Sequence, residues 1–414
     1  MHRNILAISL FTTFCFIGCS TPEKTKEPSA QWIGNMHKLS QLHLELMPLV
    51  ANRRDFANPK NKAEIQRDLK EMVSAAADAA HDPKAPKADP LIEYTATRFA
   101  VEARQAYAAF QVGDLQGARF ALSHISDYCI NCHTRANRGA RDFPLTWQPE
   151  LHALNTEQKI EFLLANRQYT SASQLAKTLV NDKNSVRLDP RSWQLSLARV
   201  MAMTVRVNND PVKAEELASA VLANSGAPFY LRSDAAAWLK DIHTWQKEKA
   251  PRTEAEKYRL AVNLETKSYS DHSDMSGRRL VASLRASALL HELLENTKSP
   301  HYGEYLLHAG IVSKYLRDIN MGYLDQYYFE DCIRWKPHSE LAESCYVLYE
   351  RASVEANPLI ELEPDGASAM ESRLSDLRQL AERNDTDVKP TWKSRLWDYN
   401  LNEDEKPIRK RGGQ

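Results

Sequence analysis

Residues 115–133 of the chain read LQGARFALSHISDYCINCH. Apolar residues recur in this stretch three or four positions apart, which is the spacing of one face of an α-helix. The residues of that face are Leu115, Ala118, Leu122, Ile125, Cys129 and Cys132. The stretch therefore predicts an amphipathic helix whose core-facing side ends in two thiols.

The end of this helix has the pattern C-x-x-C-H, formed by Cys129, Cys132 and His133. Two thiols three positions apart lie on one helical turn, where each can add to a vinyl group of haem. The imidazole that follows can then bind the iron. C-x-x-C-H is the attachment pattern of c-type haem. We therefore expect one covalent haem c, with Cys129 and Cys132 as its anchors and His133 as the proximal iron ligand.

Other chemistry is poorly supported by the sequence. A thioredoxin-type C-x-x-C pair expects a preceding strand, and a zinc site needs two further ligands at close spacing. The chain contains no phosphate-binding loop, no dinucleotide fingerprint and no H-E-x-x-H, since His291-Glu292 is followed by Glu295 at the second histidine position. No distal acid-base pair suggests a peroxidase. We expect an electron carrier or ligand-binding protein rather than an enzyme, with no second haem.

The region around the motif, residues 31–140, has the pattern of four amphipathic helices joined by short loops. The first of them is bent or ended by Pro48. Asp89 and Pro90 give the third a favourable start, and Gly113-Asp114 turns the chain into the fourth. An up-and-down four-helix bundle is the natural architecture for such a set.

The run AAFQVGDL at 108–115, followed by CINCHTR at 129–135, resembles the C-terminal part of the cytochrome c′ family. This resemblance implies a haem-binding four-helix bundle that often forms homodimers. It also implies that a distal iron ligand, where present, is a methionine of the first helix. Met36 and Met47 both lie in the first helix with His43 between them, so each of the three is a candidate distal ligand. The remaining alternative is a five-coordinate iron with no distal ligand.

The N-terminus predicts export to the cell envelope. A short positive start precedes an apolar run at 5–17 that is too short to span a bilayer. Phe16-Ile17-Gly18-Cys19 resembles a bacterial lipobox, with Phe16 in place of the usual Leu. The resemblance implies a signal peptide at 1–18, a lipid-modified Cys19, and outer-membrane sorting through Ser20. A polar tether follows at 19–30, and a plain signal peptide would still deliver the chain to the periplasm.

Two cysteines remain after those assigned to the signal, the lipid and the haem. They are Cys332 and Cys345. An oxidising compartment would allow them to form a disulfide that staples a helical hairpin. The alternative is a pair of buried, unpaired thiols.

The remainder, residues 146–385, has the pattern of short paired helices. Asn166 to Ala176 and Asn208 to Ala218 resemble the turn and second helix of tetratricopeptide repeats. Ser299 to Gly303 can open another such helix. The alternative is an ordinary helical domain. The charged residues 386–414 lack an apolar face and predict a mostly disordered tail.

Composition limits the function further. The chain has 414 residues, 43% of them hydrophobic, with 13 Gly and 54 residues of each charge sign. These values suit an all-α protein with two or three helical domains and give no bias towards nucleic acid. The first hypothesis is a periplasm-facing electron-transfer lipoprotein, held to the membrane only by its lipid, whose helical repeats dock a redox partner. The alternatives are a module that binds or senses nitric oxide or carbon monoxide, and an envelope scaffold in which haem is secondary.

Overall fold

The computed structural model describes residues 29–82, 90–135, 151–270, 276–320, 324–356 and 364–383. Within these ranges every regular element is a helix, so the prediction of an all-α fold is confirmed. The predicted signal peptide, lipid-modified Cys19, most of the tether and the charged tail lie outside the described residues. None of the helices in these ranges has the length and apolar character that a membrane crossing requires.

The first helical region is residues 29–135 with the gap noted above, and it contains six α-helices. They are α1 (Ala30–Ala51), α2 (Arg53–Phe56), α3 (Lys62–Ala80), α4 (Pro90–Gln111), α5 (Leu115–Ser123) and α6 (Ile125–His133). The Ser29 hydroxyl caps α1 by accepting from the Trp32 N–H, and the Asp114 carboxylate caps α5 by accepting from the Gly117 N–H. Pro48 does not end α1, which continues to Ala51.

A hydrophobic cluster fills the centre of this region, and we call it the first cluster. It is formed by buried residues between Leu39 and Ile125, with Leu46, Ile65, Leu69 and Phe110 among the most enclosed. α3 packs against both α1 and α4, and α4 packs against α5. Their amphipathic faces thus bring these helices together, as the periodicity predicts.

The predicted fourth helix is two helices, which corrects one expectation. The α-helix stops at Ser123, and α6 begins at Ile125 after a one-residue break at His124. Ile125 still belongs to the first cluster, whereas Ile130 and Cys129 pack into a different one. Cys129 therefore does not continue the apolar face of α5, and the expectation of one continuous face from Leu115 to Cys129 is wrong.

The second helical region covers the described residues from 151 to 383. Its α-helices are α7 (Thr156–Ala165), α8 (Tyr169–Asn181), α9 (Ser185–Leu188), α10 (Pro190–Ala202), α11 (Pro211–Ala223), α12 (Phe229–Lys247), α13 (Glu254–Ser270), α14 (Leu280–Leu294), α15 (Tyr302–Tyr315), α16 (Arg317–Asn320), α17 (Asp325–Trp335), α18 (Glu340–Ala356) and α19 (Pro364–Ala381). A π-helical turn, Met203–Val207, extends α10.

Local signals explain several of these helix starts. Asp189 and Asp210 each cap a helix whose first residue is proline, at Pro190 and Pro211. Sequential helices pack as neighbours, as in the pairs α7–α8, α11–α12, α13–α14 and α17–α18. Their buried residues form one continuous second cluster, which also takes in Leu91 of α4 and Ile130 of α6.

A disulfide joins Cys332 of α17 to Cys345 of α18, with their Cα atoms 6.2 Å apart. Both cysteines are fully buried. The bridge links the two helices across the turn at Lys336–Ser339 and joins positions with a sequence separation of 13. It stabilises the pair by restricting the unfolded chain.

Candidate functional site

The C-x-x-C-H residues all lie on α6, close to the junction of the two hydrophobic clusters. Cys129 and Cys132 are partly buried and are not joined in a disulfide. Burial, with a smaller contribution from the neighbouring Cys132 thiol, raises the pKa of the Cys129 thiol to about 12. Cys129 is therefore a protonated thiol at neutral pH and is inert as a nucleophile until it is activated.

His133 ends α6 with its ring held in a defined orientation. Its Nδ1 lies 2.7 Å from the backbone oxygen of Ala165. A carbonyl oxygen only accepts, so Nδ1 carries the hydrogen and Nε2 keeps its lone pair. Within the described part of the chain, no hydrogen-bond partner occupies that Nε2 atom. The imidazole thus presents one nitrogen as a ligand while the backbone fixes the other.

The acceptor for His133 exists because of where α7 ends. Ala165 is the last residue of α7, and the terminal carbonyls of a helix have no partner within it. The chain leaves α7 through Arg167, whose positive φ of 58° is rare for a residue with a side chain. Tyr169, at the start of α8, then donates from its hydroxyl to the His133 backbone oxygen at 2.7 Å. α7 and α8 together therefore hold the end of α6.

Burial, together with the positive charge of Arg167, lowers the pKa of His133 to about 4, although the Ala165 hydrogen bond acts in the opposite direction. The ring is therefore neutral at physiological pH. A neutral imidazole is the form that binds a metal ion.

His43 of α1, a candidate distal ligand, is buried against α6 and α7. Its ring stacks on Phe162 with centroids 5.2 Å apart and planes at 7°. Its Nδ1 accepts from the Asn166 side-chain amide at 3.0 Å, and its Nε2 lies 2.8 Å from the Ser126 hydroxyl. Burial, with a smaller contribution from His133, lowers the pKa of His43 to about 4. Both ring nitrogens are engaged, so an iron bond would have to replace one of these hydrogen bonds.

The two candidate methionines differ in position. Met47 packs against both hydrophobic clusters, and its sulfur lies 3.9 Å from the Ser126 hydroxyl on α6. Met36 packs only against the first cluster. The structure thus brings Met47 and His43 to the motif helix and leaves Met36 among the residues of the first region.

A buried arginine joins α6 to the second region. Arg199 of α10 contacts Asp127 of α6 at 2.5 Å and Glu161 of α7 at 2.6 Å. Its side chain is 2% exposed. Desolvation raises the pKa of both carboxyl groups, and the Arg199 charge opposes that rise. The three side chains fix the helix that carries the thiols against the start of the helical array.

Sequence reasoning missed the residues that support the motif. They are Ser126, Asp127, Ala165, Asn166, Tyr169 and Arg199. The sequence identifies the turn at 166–169 only by its resemblance to a repeat. An arginine on the apolar face of α10 was the available signal for Arg199, because such a residue needs a buried carboxylate partner.

Comparisons with protein-family models, with curated proteins and with solved structures found no match for this chain. No group of three or more histidine, cysteine or acidic residues in the described ranges could hold a metal ion by itself. The residues present nevertheless fit a covalent haem, because two thiols and an imidazole with an available Nε2 lie on one short helix.

Proposed function

We propose that this chain is a c-type cytochrome of the bacterial envelope that carries one haem c and transfers electrons. The observation that supports this most strongly is the hydrogen bond from His133 Nδ1 to the Ala165 carbonyl. Metal-binding histidines commonly donate their second ring N–H to a backbone carbonyl or carboxylate, which sets the tautomer and raises the basicity of the ligating nitrogen.

Each residue of the site has a distinct task in this proposal. Cys129 and Cys132 would hold the haem through thioether bonds, and His133 would bind its iron through Nε2. The haem supplies an iron that gains and loses one electron. Tyr169 and the Ala165 carbonyl prevent rotation of the ligand, and Asp127 anchors the helix that carries it. Rigid ligands limit structural change on electron transfer.

We further propose that the first helical region is a cytochrome c′-like bundle and that the second is a repeat-like array that docks a redox partner. A lipid on Cys19 would hold the protein at the periplasmic face of the outer membrane. The Cys332–Cys345 disulfide supports an oxidising compartment, since such bonds are rare in cytosolic proteins.

For the sixth ligand of the iron, the packing favours Met47 over Met36 and His43. The Met47 sulfur makes only a long contact of 3.9 Å with the Ser126 hydroxyl, whereas both His43 nitrogens already form short hydrogen bonds, to Ser126 and Asn166. Met47 and His133 together would give the haem a methionine and a histidine ligand, a set that raises the reduction potential.

The test is to produce the full chain in cells equipped for c-type haem maturation, with a Cys129→Ala/Cys132→Ala variant as the control. We expect covalent haem on the native chain only, with a low-spin spectrum that carbon monoxide does not change. A high-spin spectrum that shifts with carbon monoxide would instead support the gas-binding alternative. Absence of covalent haem would overturn the proposal and leave the scaffold.

A further inference from the structure

An interior cavity of about 10 Å³ lies next to the end of α6, and the proposed haem protein has no evident use for it. Its walls come from five different parts of the chain: the second residue after α6, the π-helical turn, α14, α15 and α17. The polar lining residues are Arg135, Arg206, Ser287, His291, Ser313 and Tyr328. A space of this size admits one water-sized particle.

A closed set of hydrogen bonds holds one guanidinium group at this cavity. Arg135 Nη1 donates to the Tyr328 hydroxyl oxygen at 2.7 Å. His291 Nδ1 lies 3.3 Å from the Arg135 backbone oxygen. Since that oxygen can only accept, His291 Nδ1 carries the hydrogen and Nε2 is the acceptor nitrogen. That Nε2 lies 3.1 Å from the Tyr328 hydroxyl, which supplies the hydrogen. Arg135 therefore sits in a fixed orientation, two residues after the proposed iron ligand.

The second guanidinium group comes from the π-helical turn. Arg206 is only 6% exposed, and its Nη2 donates to the Thr134 hydroxyl at 3.0 Å. That hydroxyl donates in turn to the Ile130 carbonyl at 2.8 Å. Insertions of the π type inside α-helices occur frequently at functional sites, because the extra residue redirects a side chain. Here the redirected side chain reaches the same cavity as Arg135.

Ser313 supplies a further, independent observation. The residue is 5% exposed, it lines the cavity, and its hydroxyl has no hydrogen-bond partner among the residues that the structure describes. A buried hydroxyl without a partner costs free energy, so a ligand that accepts its hydrogen would be stabilised there. Ser287 offers a second hydroxyl in the same wall. The lining side chains that the structure describes include no carboxylate.

We propose that this cavity is a halide site that binds one monatomic anion, such as chloride. The unpartnered Ser313 hydroxyl and two permanently charged guanidinium groups line it, so an anion there would accept the Ser313 hydrogen beside positive charge. The small volume favours a monatomic anion over sulfate or phosphate. This site is separate from the proposed haem chemistry and does not depend on it.

The experiment is equilibrium dialysis of the full chain against isotopically labelled chloride. We expect about one ion per chain, with no competition from sulfate. Ser313→Ala removes one hydrogen bond to the anion, so the dissociation constant should rise roughly tenfold. The matched control is Ser196→Ala, because the Ser196 hydroxyl is also buried and unpartnered among the described residues but does not line the cavity.

A second variant tests the position of the ion without changing charge or donors. Ala309 lines the cavity, and Ala309→Val places two methyl groups at that wall. We expect this variant to lose chloride binding while retaining the helical circular dichroism of the native chain. No bound chloride on the native chain, or equal binding by the native chain, Ser313→Ala and Ala309→Val, would overturn the proposal.

Discussion

His43 belongs to a series of hydrogen bonds in which each side chain donates to the next. The Ser40 hydroxyl donates to the Asn166 oxygen at 2.7 Å, and the Asn166 amide donates to His43 at 3.0 Å. The other His43 nitrogen must then donate to Ser126, whose hydroxyl is left to face the Met47 sulfur. The Met47 sulfur therefore lies beside α6, the helix that carries both thiols. A thioether is a neutral ligand that suits iron.

The first residue-scale prediction concerns Met47 as the sixth ligand. In the haem-loaded protein, Met47→Leu keeps the side-chain volume and removes the sulfur lone pair. We therefore expect its optical spectrum to become high-spin and to shift with carbon monoxide. Met36→Leu is the matched control and should leave the spectrum low-spin. The opposite pattern would assign the ligand to Met36, and no change in either variant would exclude both.

The second residue-scale prediction concerns Asp234, whose carboxyl group is buried on α12. Desolvation raises its pKa from 3.8 to about 6, only partly opposed by Arg278, whose Nε lies 4.0 Å away. The folded state thus binds a proton more tightly than the unfolded state, so this group contributes stability at low pH that is lost as pH rises through 6.

We expect Asp234→Asn to remove the pH dependence of the unfolding free energy that comes from this carboxyl group. Relative to the variant, the native chain should lose about 2 kcal/mol of unfolding free energy between about pH 4 and pH 7.5. Urea denaturation at several pH values measures the difference. A native chain that gains stability over the same interval would contradict the assignment.

At the scale of elements, α6 is separated from α5 by one residue and is bound to the second region by side chains. Arg199 contacts Asp127, whose side chain is 9% exposed, and the partly buried Glu161. Buried ion pairs add little net stability when intact, but the loss of one partner leaves uncompensated charge. The orientation of α6 therefore depends on residues far along the chain.

Arg199→Met should consequently destabilise the chain by about 3–5 kcal/mol in urea denaturation. Adding Asp127→Asn and Glu161→Gln to that variant should recover part of the loss, because no buried charge then remains. The surface pair Lys177–Glu216 provides a control, since Lys177→Met should change stability by less than about 1 kcal/mol. This explanation would be refuted if the triple variant had a lower free energy of unfolding than Arg199→Met alone.

The α17–α18 hairpin carries the next prediction. Replacing Cys332 and Cys345 by alanine removes the covalent constraint between positions with a sequence separation of 13. The loss should cost about 3 kcal/mol. Thermal denaturation of native and variant chains, each with and without a reductant, gives the comparison. Reductant should lower the midpoint of the native chain and leave that of the variant unchanged. An equal effect on both would place the redox-sensitive group elsewhere.

At the scale of the whole molecule, the sequence predicted what local spacing determines and missed what the topology determines. Periodicity identified α1, α3 and α4, and five consecutive residues identified the candidate ligands. The break at His124 depends on backbone conformation at one position, which periodicity does not encode. The acceptor of His133 lies 32 residues away, and the arginine paired with Asp127 lies 72 away. Such partners follow only from the arrangement of the helices.

That dependence leads to a prediction for the intact chain and a fragment ending at residue 135. The five residues of the motif are all that covalent attachment requires, so both should carry haem after production in haem-maturing cells. The fragment lacks Ala165, Tyr169 and Arg199, so its His133 is not held by a backbone acceptor and α6 is not clamped. We therefore expect carbon monoxide to bind the fragment and not the intact protein, as measured by difference spectra of the two reduced samples. Matching spectra would mean that the first region alone orders the haem, and that the contacts of α7, α8 and α10 with α6 serve stability instead.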